Sequence, residues 1–313
     1  MTLIQKRFTF IIVLLTLIAF IAAGCGSQQP KAENKPASAP TAFDSAVVTK
    51  EATWDAYKKV LTEVQGKTFP LDAVKAKELL AGNESKYVII DMRAADDYAK
   101  SHVKGAINLS AVQVAENLDK LPTDKTLLLY CYTGQTTALT IVPLKAFGYK
   151  AISISKGFPS IEQAGFDLDT IAVPFKTSEA KPPTDPKIAA AQTGIKENLL
   201  AIAKQAGTKT LILKGSDTKA LVDSAPDKYA FVDLRSAEDY NKDHVKGALN
   251  VPLTMLQEKT ASLPKDKTLV LYCYSGQTAA MATAPLKAEG FKLVSISTGY
   301  PQAKEANLPM EAK

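Results

Sequence analysis

Tyr87 through Pro159 aligns without a gap on Tyr229 through Pro301, at a constant offset of 142 residues, and about half the positions are identical. A unit this long is too large for a solenoid turn and has the size of an independent fold, so the chain is read as one domain present twice. Every chemically distinctive residue keeps the offset: Asp91 with Asp233, Arg93 with Arg235, Tyr98 with Tyr240, His102 with His244, Asn108 with Asn250, and Cys131 with Cys273. The match fades outward at about Thr53 and Ile195, which predicts domains at 53–170 and 195–313 joined by a linker at 171–194. Within that linker, Lys181-Pro182-Pro183-Thr184-Asp185-Pro186 disfavours both helix and central strand.

In each copy, short apolar runs without polar alternation predict strands buried on both faces. They are Tyr87 to Ile90, Leu127 to Tyr130 and Ala151 to Ile154, with counterparts at Tyr229 to Val232, Leu269 to Tyr272 and Leu293 to Ile296. Helices are expected between them, at Asp72 to Leu80 and, after each cysteine, at Thr136 to Phe147 and Thr278 to Glu289. Gly148 and Gly290 stand where a left-handed cap would end the latter pair. Strand and helix alternate, so the fold class is α/β: two tandem domains, each a parallel sheet with helices on both faces. Pro143 and Pro285 fall inside the helices that follow the cysteines. An interior proline costs about 3 kcal/mol, and a kink or early break is expected there.

The first 24 residues have the form of a secretory signal: Lys6 and Arg7 are a positive start, Phe8 to Ile21 an apolar run, and Ala22, Ala23 and Gly24 small residues before Cys25. Small residues leading into a cysteine resemble the lipobox of bacterial lipoproteins, which implies acylation at Cys25 and an exported, membrane-anchored protein. Residues 25–50 follow as a tether rich in Gln, Pro, Ala, Ser and Lys toward its start. Without Lys6 and Arg7, 36 basic residues face 32 acidic ones. That balance is too mild, and too free of basic blocks, for a nucleic-acid partner. With Cys25 assigned to lipid, Cys131 and Cys273 remain. They occupy equivalent places in separate copies, so no bridge between them is expected, and two unpaired thiols suggest chemistry.

The chemistry is read from Cys131-Tyr132-Thr133-Gly134-Gln135-Thr136, repeated as Cys273-Tyr274-Ser275-Gly276-Gln277-Thr278. Each loop follows a buried strand and precedes a helix, the place where open α/β sheets bind ligands. A tight loop entering a helix N-terminus turns backbone N–H groups inward and favours a negative charge, here the thiolate. The glycine permits the curl. Cys131 and Cys273 are therefore the expected nucleophiles, and the other five residues of each loop are the expected substrate-binding cradle.

Here the sequence resembles the rhodanese family across nearly the whole of both repeats. Asp91-Met92-Arg93, Asp97-Tyr98 and His102-Val103-Lys104-Gly105-Ala106-Ile107-Asn108 look like its upstream signature, as does Asp233 through Asn250, and the six-residue loop with cysteine first and glycine fourth is similar to its active-site loop. The resemblance implies a sulfurtransferase: a thiolate takes the outer sulfur of a small donor, becomes a persulfide and passes that sulfur to a thiophilic acceptor. Phosphatases of the same fold use a longer loop closed by arginine, and neither loop here contains Arg or Lys. Thiosulfate-using relatives commonly carry a cation in the loop. The hydroxyls of Thr133 and Ser275 look more like the mercaptopyruvate-using branch, and polysulfide or a protein persulfide would serve equally.

Asp91, Arg93 and His102, with Asp233, Arg235 and His244, are read as structural support. The histidines are expected to hydrogen-bond backbone, and the arginines to pair with nearby carboxylates such as Asp97 and Asp239. One His and one Cys per domain, without ligand-like spacing, predict no metal site, and no cofactor is expected. Beside the enzyme stand a non-catalytic sulfur carrier or interaction module and, more remotely, a thiol redox sensor without a resolving cysteine.

Overall fold

The computed structural model describes residues 42–64, 70–178 and 182–312. The expected signal segment, Cys25 and the tether up to residue 41 lie outside the described residues. Residues 42–50, read as tether, begin the long helix Ala42–Val64. Likewise, Pro186 opens the helix Pro186–Gly207 inside the stretch read as linker. A proline in the first helical turn leaves no donor unsatisfied, and the Asp185 carboxylate caps the Lys187 N–H. These two helices occupy equivalent places in the repeat and are called the opening helices below.

The apolar runs form strands Tyr87–Asp91, Thr126–Tyr130 and Ala151–Ser153 in the first repeat and Tyr229–Asp233, Thr268–Tyr272 and Leu293–Ile296 in the second. Every pairing among them is parallel. In each sheet the cysteine-bearing strand lies between the other two, and the short strand Ile107–Asn108 or Leu249–Asn250 pairs with the far side of the first. Ile212–Leu213 extends the second sheet, and Leu71 makes the matching bridge to Ile154 in the first. This is the α/β parallel architecture, present twice.

Alternation along the strands decides which way each cysteine points. Leu127, Leu129 and Cys131, with Leu269, Leu271 and Cys273, all belong to one apolar cluster shared by both repeats. Leu128 and Tyr130 pack into a separate cluster on the outer face of the first sheet, and Val270 and Tyr272 into another on the second. The cysteines therefore face the middle of the molecule. That middle is filled by the opening helices and by the cysteine helices Gln135–Phe147 and Gln277–Ala288, which pack on one another.

Both opening helices reach across the repeat boundary, and Ala42–Val64 also packs on the cysteine helix of its own repeat. Pro186–Gly207 packs on Ala111–Glu116 and on the cysteine helix of the first repeat, whereas Ala42–Val64 reaches Leu253–Met255 and Leu256–Lys259 of the second. Lys196 pairs with Asp119 at 2.6 Å, and Gln192 donates to the Phe147 carbonyl at 3.0 Å. Tyr57, fully buried, donates to Asn198 Oδ1 at 3.3 Å, and burial drives its phenol pKa upward.

Both cysteine helices run on past Pro143 and Pro285, to Phe147 and Ala288, so the early break expected at the prolines does not occur. Residues Thr137 to Leu144 and Ala279 to Leu286 are buried on every face. Apolar packing all round a helix outweighs one missing backbone bond. Gly148 and Gly290 take the left-handed conformation expected of them.

Candidate active sites

Each cysteine directly follows its strand at the carboxyl edge of the sheet, and the chain turns through three residues into the cysteine helix. Gly134 and Gly276 cap these helices at φ +81°, a left-handed conformation that glycine adopts without strain. The turn brings amide hydrogens to sulfur. Gly134 N donates to Cys131 Sγ at 3.2 Å, and Ala279 N donates to Cys273 Sγ at 3.4 Å. Both thiols are free, and each cysteine is only 1% exposed. A reactant must therefore come through an opening in the loop, or the loop must yield.

The remaining loop residues divide by position. Tyr132, Thr133, Tyr274 and Ser275 are exposed, Thr136 and Thr278 are half-buried, and Gly134, Gln135, Gly276 and Gln277 are buried. The Tyr132 hydroxyl donates to Asp97 and accepts from Ala94 N at 3.3 Å. Tyr274 repeats this with Asp239 and with Ser236 N at 3.4 Å. Lys100 and Tyr132 hold the Asp97 carboxyl below its ordinary pKa, and Tyr274 and Lys242 do so for Asp239. The two glutamines leave their own loops: Gln277 Nε2 donates to the Thr133 carbonyl at 2.7 Å, and Gln135 Nε2 to the Gly276 and Ile296 carbonyls at 3.4 Å each.

The arginines do not pair with Asp97 and Asp239 as expected. Arg93 binds Asp91 through Nε and Nη2, the latter at 2.7 Å, and Arg235 binds Asp233 in the same way. The reason is register. Asp91 and Asp233 end buried strands, so their carboxylates point inward where only a long buried cation reaches them, while Asp97 and Asp239 sit on the solvent side of short helices. Burial works against each guanidinium charge, yet the carboxylate raises its pKa above the ordinary value. Each guanidinium also lies over an aromatic ring, 3.5 Å from the Phe158 centroid and 3.8 Å from that of Tyr300. Each ion pair thus stands behind its loop as a brace, and neither Arg93 nor Arg235 is left at the rim.

His102 Nδ1 is 2.7 Å from the Tyr98 carbonyl and Nε2 is 3.1 Å from that of Ile171. His244 Nδ1 makes the first contact with Tyr240, and its Nε2 faces Glu311 at 3.4 Å. Each ring stacks on its tyrosine at 3.7 Å. Among the described residues no cluster of three or more His, Cys, Asp or Glu side chains is placed to hold a metal ion.

Sequence reasoning missed the loop that closes on each cysteine from behind. Phe158 N donates to the Cys131 carbonyl at 2.8 Å and Tyr300 N to that of Cys273 at 2.7 Å. A Cβ on Gly157 would lie 2.3 Å from the Cys131 carbonyl oxygen, and one on Gly299 2.2 Å from that of Cys273, so only glycine fits. Lys156 and Thr298, just before them, hold positive φ without being glycine, and such strain clusters at functional sites. The signal was present in the repeat, as Gly157-Phe158-Pro159 against Gly299-Tyr300-Pro301.

Two parallel sheets, each with a buried cysteine under amide hydrogens at its carboxyl edge, define a tandem α/β protein of the cysteine-loop class. The Rhodanese-like domain family matches twice, at residues 72–164 and 216–306, and the chain belongs to that family. It is 36% identical over 90 residues to the thiosulfate sulfurtransferase PspE of Escherichia coli, a match covering 28% of this chain and 86% of that one. It is 33% identical over 78 residues to a tRNA sulfurtransferase of Desulfurococcus amylolyticus, covering 25% of this chain and 15% of the other. A match to a second tRNA sulfurtransferase, from Pyrobaculum aerophilum, likewise spans only 16% of that relative. A crystal structure of thiosulfate sulfurtransferase from Pseudomonas aeruginosa superposes with a TM-score of 0.34 at 20% identity, covering 83% of this chain and 47% of the other. Each of these relatives is itself named a sulfurtransferase, and the chain spans only about a sixth of the length of the two tRNA sulfurtransferases.

Proposed function

We propose that the chain is a sulfurtransferase with two active cysteines, Cys131 and Cys273, each passing through a persulfide. The observation that carries this reading is the amide-capped sulfur at the carboxyl edge of a parallel sheet, found in both repeats. Thiolate Sγ attacks the sulfane sulfur of the donor and a new S–S bond forms. The bond from that sulfur to the donor breaks, and the donor leaves with the electron pair, as sulfite if thiosulfate is used. An acceptor nucleophile then attacks the outer sulfur, and Sγ departs as thiolate. No oxidant is consumed, and the amide hydrogens stabilise the anion at the start and end of the cycle.

Incubation with thiosulfate, mercaptopyruvate or polysulfide, followed by peptide-resolved mass spectrometry, is expected to add one sulfur to each cysteine. Failure of every donor at both cysteines overturns the proposal. The burial of both thiols favours a second reading, a carrier that holds sulfur for a partner protein. Cyanide as acceptor separates the two: an enzyme cycles, and a carrier discharges once.

The leader-like residues 1–24 and the small residues before Cys25 support export and lipid anchoring. Labelling of the protein by a fatty acid in cells, lost in Cys25→Ser, is the expected result. Labelling unchanged by that substitution refutes it.

A further inference from the structure

One peptide unit links the repeats. The N–H of the Thr133–Gly134 peptide, on Gly134, donates to Cys131 Sγ at 3.2 Å. The C=O of the same peptide, on Thr133, accepts from Gln277 of the other repeat at 2.7 Å. In a trans peptide these groups point in opposite directions, so whatever holds the carbonyl also aims the N–H. A hydrogen bond accepted at the carbonyl also polarises the N–H and makes it a better donor to an anion. Gln277 is 5% exposed, and its amide reaches in only because residue 134 has no side chain: a Cβ there would lie 2.2 Å from Gln277 Nε2.

The reverse contact is built differently. Gln135 Nε2 reaches the Gly276 and Ile296 carbonyls at 3.4 Å, at the edge of hydrogen-bonding range. The N–H paired with the Gly276 carbonyl belongs to Gln277, whereas the donor to Cys273 Sγ is Ala279 N. No single peptide connects Gln135 to the second sulfur.

We propose that Gln277 is a positioning residue for Cys131, acting across the repeat boundary through the Thr133–Gly134 peptide, and that this coupling runs from the second repeat to the first. The inference deepens the sulfur-transfer reading, but thiol reactivity tests it without any sulfur donor. In the full chain carrying Cys273→Ser, the rate of Cys131 alkylation by iodoacetamide is followed against pH by peptide-resolved mass spectrometry. Gln277→Met keeps the volume and removes the donor, and Gln277→Ala is the second variant.

In both, the rate at pH 7 is expected to fall by about 3- to 10-fold, with the pH midpoint moving up, as a weakened hydrogen bond to a thiolate requires. In the Cys131→Ser chain, Gln135→Met is expected to change Cys273 alkylation by less than about 2-fold, because its longer contacts act on no donor peptide. A structural role alone lowers Tm and leaves the midpoint in place. An unmoved Cys131 midpoint overturns the proposal, as does an equal shift at Cys273 on removal of Gln135. If the alkylation shift appears while no donor sulfurates either cysteine, the positioning role stands and the sulfurtransferase reading falls.

Discussion

Cys131 takes its hydrogen bond from the amide three residues on and lies 4.0 Å from Thr137 Oγ1. Cys273 takes its own from the amide six residues on, where Ala279 replaces that threonine. Thr137 also bonds the Gly134 carbonyl at 3.0 Å and Ser153 Oγ at 2.7 Å. Without that hydroxyl, Ser295 Oγ in the second repeat is buried and has no hydrogen-bond partner among the described residues. The loops thus share every motif residue except Thr133 against Ser275, together with glycine conformation and backing loop, and the Thr137 to Ala279 difference just outside the motif adds to the unequal glutamine contacts in separating their polar surroundings. The duplication copied the backbone of the site, and part of its polar surroundings depends on neighbours the motif does not include.

The comparison breaks most decisively at the proposed nucleophiles. Cys131→Ser and Cys273→Ser are each expected to abolish sulfuration at their own position and spare the other, and the double variant to lose turnover by more than about 1,000-fold. A single variant that silences both positions would show that the two sites are one relay. Next come the braces, where the repeats are expected to behave alike. Asp91→Asn and Asp233→Asn each leave a buried guanidinium without its carboxylate, at a cost of about 3–5 kcal/mol in chemical denaturation. A clearly unequal pair of losses would show that the matching geometry hides different strain.

The Thr137 and Ala279 positions sharpen the contrast. Thr137→Ala leaves Ser153 without its side-chain partner and is expected to cost about 1–3 kcal/mol, whereas Ala279→Thr offers Ser295 a partner and is expected to stabilise by about 1 kcal/mol or less. Denaturation midpoints read both, and destabilisation by Ala279→Thr would mean that the space is already filled. The smallest effect lies at the opening helices, where Asp55 pairs with Lys187 and Lys58 at 2.8 Å on the surface. Those lysines lower the Asp55 pKa to about 2, so its contribution is present above the ordinary carboxylate range and is lost as pH falls through about 2. Solvent screening limits Asp55→Asn to less than about 1 kcal/mol at neutral pH, and most of its loss should be gone at about pH 2. A loss that persists at pH 2 would point to packing rather than charge.

What the amino-acid sequence settled alone is what depends on local pattern and on the repeat. The buried strands, the helix after each cysteine and the two cysteine loops all follow from unbroken apolar runs, glycine placement and a constant offset. Tertiary structure decided the partners. The Arg93 partner depends on strand register, which turns Asp91 inward and leaves Asp97 at the surface. The reach of the opening helices across the repeat boundary and of Gln277 into the first loop arise because strand alternation aims both cysteines at the middle of the molecule, where two copies must share one core. No local window records that meeting, because the residues that touch are about 140 positions apart in the chain.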